Sequence, residues 1–302
     1  MARGKTKSND IVVKTTTGND KKEWNNMQKT MKIGNRIFDL QGHTYIMAIL
    51  NVTPDSFSDG GSYKTVDDAL YRVEQMLAEG ADIIDIGGES TRPGYDQNGV
   101  SAEEEMERVL PVLEALRQRF DVPVSVDTKK ASVAKAALQS GADLVNDIWG
   151  LLQDRDMARV IAQAGATCCL MHNKQNTDYH NLVWECMESL LRSAELALAA
   201  GVPKENIILD PGIGFGKTRE QNLMIMQKLS QFNLLEYPML LGTSRKSMIG
   251  LTLNLPTAQR LEGTLVTTVL AVQAGWNFVR VHDVEANYRA IKMMEAIRDI
   301  TC

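Results

Sequence analysis

From about residue 45 the hydrophobic and polar positions of this chain cycle: an amphipathic segment runs to a glycine, a short apolar run follows, and polar residues end it. LAEGADIIDIGGES (77–90), LQSGADLVNDI (138–148), AQAGATCCLMHN (162–173) and VQAGWNFVRVHD (272–283) share the pattern, and LAAGVPKENIILDPG (198–212) is a looser copy. Gly80, Gly141, Gly165, Gly201 and Gly275 fall where one helix gives way to the next segment, a place that favours the left-handed backbone. The apolar runs lack alternation, as strands covered on both faces do. With shorter runs of the same kind they give eight predicted strands, at 45–50, 83–87, 123–126, 144–147, 167–171, 207–210, 239–242 and 277–281. Helical patterns lie between them, for example at 66–79, 101–119, 184–200, 219–231, 260–274 and 285–298, with Ser101 and Thr257 as start signals. This repeated strand–helix alternation predicts one α/β domain, a (β/α)8 TIM barrel, for which about 250 residues suffice. An open doubly wound sheet is the competing architecture.

In a barrel the C-terminal strand ends surround one cavity. Here they supply Asn51, Asp85 with Glu89, Asp127, Asn146 with Asp147, His172, Asp210, Ser244 to Ser247, and Arg280 with His282 and Asp283. So many converging polar groups are costly unless a ligand satisfies them, although Asp147 and Asp283 fit helix caps equally well. Asp127, Asn146 and Asp210 offer acceptors suited to a flat heterocycle bearing N–H donors. Arg280 and His282 offer donors suited to phosphate or pyrophosphate, and Lys246 is placed to reach either half.

PGIGFGKT (211–218) ends like a phosphate-binding P-loop, but Pro211 stands where that motif needs its first glycine, and Lys217 stands where a dinucleotide motif needs its third. Its glycines instead allow a tight loop that presents Phe215 to an aromatic ligand, with core packing of Phe215 as the alternative. The loops 51–63 and 87–99 are long, polar and glycine-rich, which fits mobile lids over a reactive intermediate or plain solvated turns.

Composition narrows the class. A formal net charge of −5 argues against a nucleic-acid surface while leaving room for a local phosphate site. The 4 cysteines show no C-x-x-C spacing, which predicts reduced thiols in a cytoplasmic protein, and no apolar run approaches the ~20 residues of a membrane span. Residues 1–31 read as a polar, mobile extension without a signal-peptide core, or as an upstream start ahead of Met31; the catalytic domain is expected over 32–302.

LNVTPDSFSDGG (50–61) and GESTRPG (88–94) resemble the two signature segments of the dihydropteroate synthases. VDT (126–128), ND (146–147), DPGIGFGK (210–217), TSRKS (243–247) and RVHD (280–283) resemble the remaining motifs of that pterin-binding family, in order. The likeness spans about residues 33–302, and IWGL (148–151) departs from it, small residues being commoner after ND. The resemblance implies condensation of 6-hydroxymethyl-7,8-dihydropterin pyrophosphate with p-aminobenzoate to give 7,8-dihydropteroate and pyrophosphate, in folate biosynthesis. It implies that Asp127, Asn146, Asp210 and Lys246 hold the pterin, and that Asn51, Arg280 and His282 bind pyrophosphate, with Mg²⁺ at Asn51. It places Thr91, Arg92 and Pro93 in the second lid, and Phe215 and Ser247 against p-aminobenzoate, Ser247 near a helix N-terminus.

The implied chemistry is an SN1-like displacement in which the acids stabilise a pterin cation while Arg280, His282 and Mg²⁺ stabilise the departing anion. The competing functions are a pterin-binding methyltransferase domain and a pterin-binding homologue without catalysis. The family also implies a homodimer, and Leu261, Leu265, Val269 and Val272 of the helix at 260–274 are placed to pack on the barrel or on a second chain.

Overall fold

The computed structural model describes residues 29–53, 65–89 and 99–300. The chain enters through an antiparallel hairpin, β1 (Thr30–Ile33) and β2 (Arg36–Asp39), whose two-residue turn has Gly34 at φ 58°. Eight parallel strands follow: β3 (Tyr45–Asn51), β4 (Ile83–Gly87), β5 (Val124–Asp127), β6 (Leu144–Asp147), β7 (Thr167–Met171), β8 (Ile207–Asp210), β9 (Leu240–Leu241) and β10 (Phe278–Val281). They pair in the order β8-β7-β6-β5-β4-β3-β10-β9, and a parallel bridge between Leu209 and Met239 joins the two ends. The sheet is therefore a closed barrel, and every strand lies where the hydrophobic runs predict it.

Alternation along the strands sorts the side chains. Ile84, Ile86, Val124, Val126 and Val145 belong to the outer apolar layer under the helices. Their neighbours Met47, Ile83, Leu144, Ile208, Leu240 and Phe278 fill the lower interior together with Met31, Ile33 and Phe38 of the hairpin. The hairpin thus plugs the N-terminal mouth. Met31 is fully buried in it, so the boundary expected between residues 31 and 32 falls inside a strand. The turn pair Gly34-Asn35 between apolar residues is the local hairpin signal in the sequence, distinct from the repeat that marks the parallel strands.

The helices are α1 (Val66–Ala78), α2 (Ala102–Arg119), α3 (Ala131–Gln139), α4 (Met157–Ala164), α5 (Leu182–Ala200), α6 (Arg219–Gln227), α7 (Ser247–Leu253), α8 (Leu261–Gln273) and α9 (Val284–Arg298). Ser101 caps α2, accepting from the Glu104 amide at 3.1 Å. Thr257 does not start α8: after Pro256 it opens a 3₁₀ turn, Thr257–Gln259, which redirects the chain before the helix begins at Leu261. The helix expected at 219–231 stops at Gln227 and gives way to a 3₁₀ segment, Leu229–Leu235.

α8 also turns over. Thr264, Thr267, Thr268, Ala271 and Val272 face the barrel, with Thr267 bonded to Thr243 at 2.7 Å and Thr268 to Asn287 at 2.7 Å. Of the residues placed to pack on the barrel or on a second chain, Val272 is buried, and Leu261, Leu265 and Val269 lie partly exposed, beside exposed Val266 and Leu270. Among the described residues no helix is long and apolar enough to cross a membrane, and Cys168, Cys169 and Cys186 are free and buried.

Candidate active site

The barrel interior changes from apolar to polar going up. Above the hairpin-sealed layer, Asp85 on β4 is fully buried and receives the Arg280 Nε of β10 at 2.6 Å. The same guanidinium donates from Nη2 to Asp127 Oδ2 on β5 at 2.6 Å, and the Asn146 amide of β6 donates to Asp85 at 3.4 Å. One arginine and one aspartate thus tie together β4, β5, β6 and, across β3, β10.

The two chemical halves expected from the strand ends are therefore not segregated. Arg280 sits among the acids: its long side chain reaches from β10 past β3 to the buried carboxylates of Asp85 on β4 and Asp127 on β5. Burial alone would lower its pKa, but Asp85 and Asp127 hold it above its ordinary value. Burial pushes Asp127 up to about 7 against the pull of Arg280, and Asp85, Glu105 and Asp147 push the same way. Asp85 Oδ1 and Asp127 Oδ1 are buried without a hydrogen-bond partner, two acceptors left for a ligand or water.

Asp210, ending β8, is raised by burial, with Lys246 opposing, and accepts from the Gly212 amide at 2.7 Å. Lys246 stands in the turn after β9, where Arg245 adopts φ 57° and is held by an ion pair to Asp283. That turn aims the Lys246 ammonium inward, onto the Ile213 carbonyl and 4.7 Å from the Phe215 ring centroid. Burial pushes Lys246 down to about 8, with Asp210 opposing. Phe215 is half-buried beside this cation and stands outside the core clusters.

His282 follows β10, its Nδ1 lying 3.0 Å from Ser244 Oγ, which also accepts from the His282 amide at 3.2 Å. Ser247 is exposed as the first residue of α7. Asn51 is half-buried at the end of β3, paired in register with Gly87; a side chain on Gly87 would crowd its Oδ1 at 3.4 Å. Most of both candidate lids, including Thr91, Arg92 and Pro93, lies outside the described residues.

Two ambiguous acids are resolved. Asp147 caps its own loop, accepting from the Trp149 and Leu151 amides at 2.9 and 2.7 Å. Asp283 makes no side-chain cap and instead pairs with Arg245.

The model of a family described as pterin binding enzyme matches residues 47–282. A dihydropteroate synthase of Clostridium beijerinckii is 56% identical over 268 residues, 88% of this chain and 99% of that one. The chain belongs to the dihydropteroate synthase family. Among solved members, the Clostridium difficile synthase in the presence of pteroic acid superposes with a TM-score of 0.82 at 50% identity, over 85% of this chain and 98% of that one. The Yersinia pestis synthase with a sulfonamide drug complex gives 0.85 at 42%, over 90% and 100%. Full-length likeness to synthases of this family favours that function over the methyltransferase reading.

The fold brings Asp127, Asn146, Asp210, Phe215, Lys246 and Arg280 to one place and adds two residues that no motif marked for a role. Asp85 was visible as a polar strand end but carried no motif of its own; the signal was a charge inside an otherwise apolar run, IIDIG. Lys217 closes the motif DPGIGFGK and stands where a dinucleotide motif needs a glycine, but neither pattern gives it a role; its side chain turns inward and is buried.

Proposed function

We infer that this chain joins 6-hydroxymethyl-7,8-dihydropterin pyrophosphate to p-aminobenzoate, giving 7,8-dihydropteroate and pyrophosphate. What carries the reading is the convergence of Asp127, Asn146, Asp210, Lys246 and Arg280 from five separate barrel elements into one buried cluster, in a chain 56% identical to a synthase of this family. Pteroic acid, present with the Clostridium difficile relative, contains both halves of such a product.

Asp127, Asn146 and Asp210 present acceptors to the pterin's amino and ring N–H groups, with Lys246 donating from the side of Phe215. Arg280, fixed by two carboxylates, keeps donors on its remaining nitrogen for the pyrophosphate, and His282 stands at the same rim. The bond from the pterin methylene to the pyrophosphate oxygen breaks, and the electron pair leaves with the pyrophosphate. The cation so formed is spread over the ring and faces Asp127 and Asp210. The neutral amine of p-aminobenzoate then attacks the methylene carbon and loses a proton to solvent. Phe215 walls the second substrate, and Ser247 supplies a hydroxyl for its carboxylate. Fixed charge in a water-poor site is worth several kcal/mol to such a step.

Mg²⁺ fits this donor set. Among the described residues no cluster of His, Cys, Asp and Glu forms an all-protein cage, whereas Asn51 offers a hard amide oxygen at the cavity rim. An ion that keeps its waters and binds mainly through substrate phosphates needs little more. Held there with the pyrophosphate, it would offset charge on the leaving group. The outward apolar face of α8 supports a homodimer, and the buried free cysteines suit the reducing cytoplasm.

The test is direct: purified protein, both substrates and Mg²⁺, with dihydropteroate and pyrophosphate assayed together. Equal release of the two supports the reading; pyrophosphate without dihydropteroate, or neither, overturns it.

A further inference from the structure

We propose that Lys217 and His172 are positioning residues: a buried ammonium and its imidazole acceptor set the aromatic wall that Phe215 presents to p-aminobenzoate. The proposal rests on the function inferred above and assigns these two residues to its second substrate.

Lys217 lies at the end of the glycine-rich loop after β8, but its side chain runs beneath that loop and is only 8% exposed. Its Nζ lies 2.8 Å from His172 Nδ1, 3.0 Å from the Gly212 carbonyl and 3.1 Å from the Phe215 carbonyl. An ammonium has three protons, and here each has one acceptor. Two of those acceptors belong to the loop backbone, one before its tip and one at Phe215 itself, while the third anchors the group to the end of β7. One side chain therefore cross-links the loop to the barrel.

The loop needs such a link. Gly212, Gly214 and Gly216 all adopt positive φ, at 69°, 87° and 56°, so the backbone has little stiffness of its own. The Phe215 ring is half-buried and outside the core cluster, so core packing does not fix it. Tyr179 donates to the Gly216 carbonyl at 2.9 Å and Asn222 accepts from Gly214 at 2.7 Å. Among these contacts, Lys217 is the one that grips the carbonyl of Phe215.

The protonation states agree with this arrangement. His172 is 4% exposed, and burial, with the charges of Lys217 and Lys174, pushes its pKa down to about 3. It stays neutral with Nδ1 as acceptor, which puts its proton on Nε2. Burial pushes Lys217 down to about 8, with Cys186 and Asp210 opposing, so the ammonium persists at neutral pH. Burying a charge is costly, and a methionine would fill the same slot without that cost. A charge kept here is explained by the geometry that it enforces.

The test compares the wild-type enzyme with Lys217→Met, His172→Leu and His172→Asn. The asparagine Oδ1 can accept where Nδ1 did; leucine cannot. Lys217→Met and His172→Leu are expected to raise KM for p-aminobenzoate about tenfold or more, with KM for the pterin pyrophosphate held within about threefold. His172→Asn should return to within about threefold of wild type in both. Thermal melts identify variants that fold; should Lys217→Met not fold, the His172 pair decides. Parallel rises in both KM values, an unchanged p-aminobenzoate KM, or equal impairment of the two His172 variants would overturn the proposal. Failure of the wild type to make dihydropteroate would sink the functional reading instead, a separate result.

Discussion

Arg280 and Asp127 meet at 2.6 Å, Nη2 to Oδ2, while Nε of the same guanidinium is held at 2.6 Å by the fully buried Asp85. The planar fork is what allows one side chain to serve two carboxylates from different strands and still offer a free nitrogen. Lysine carries the charge without the fork. Arg280→Lys should therefore keep a folded barrel but lower kcat/KM roughly 10²-fold. Arg280→Ala leaves two buried acids without their cation, at a cost to stability of roughly 3–5 kcal/mol. Kinetics on the first variant and thermal denaturation of the second separate the two effects; near-wild-type kcat/KM in Arg280→Lys would show that the fork is dispensable.

Asp127 faces the place where positive charge develops on the pterin. Asp127→Asn keeps the shape and a hydrogen-bonding group but removes the countercharge. Turnover should fall roughly 10²-fold or more, a loss of about 3 kcal/mol. Because Arg280 keeps Asp85 in this variant, the fold should survive. A turnover within twofold of wild type would refute the role.

Two buried groups of opposite sign bracket neutrality. Asp127, raised by burial to about 7, must be ionised to stabilise a cation, so kcat/KM should climb as pH rises through 7. Lys246, lowered by burial to about 8, must be protonated to donate, so kcat/KM should decline above 8. A narrow maximum between those values is the expected profile. Lys246→Arg stays charged at alkaline pH, and its descending limb should move well upward; an unmoved limb assigns it to another group. Stability responds in the opposite direction: between about 8 and the ordinary 10.5 the folded lysine is neutral while the unfolded one still binds its proton, so stability rises over that window.

Strand positions were legible because parallel strands buried on both faces leave continuous apolar runs, and glycines mark the helix ends before them. Site residues were legible for a related reason: a polar residue where such a run ends has few explanations. What could not be read was direction. Arg280 was assigned to the anion half by its chemistry, yet strand order in the closed barrel places it between two acids. Lys217 sits in a motif that suggests phosphate, yet the left-handed turns of its loop point it into the core. α8 shows the same limit. Its threonines bond to Thr243 and Asn287 and so face inward, a pairing between distant residues that a single helix's periodicity does not reveal.

The outward face of α8 leads to the last prediction. Val266 is 61% exposed on α8, beside half-exposed Leu270, and α7 adds Leu251 at 62% and Leu253. A row of aliphatic side chains facing water on adjacent helices costs solvation that a second chain would recover. A C₂ pairing fits, since one patch can then serve both subunits. The wild type should elute at the mass of two chains and Val266→Asp with Leu270→Asp at the mass of one, because each carboxylate would be buried against its symmetry mate. Those side chains do not face the barrel, so the monomeric variant should remain folded. If wild type and double variant both elute as single chains, the homodimer is wrong; if both elute as dimers, the contact lies on another face.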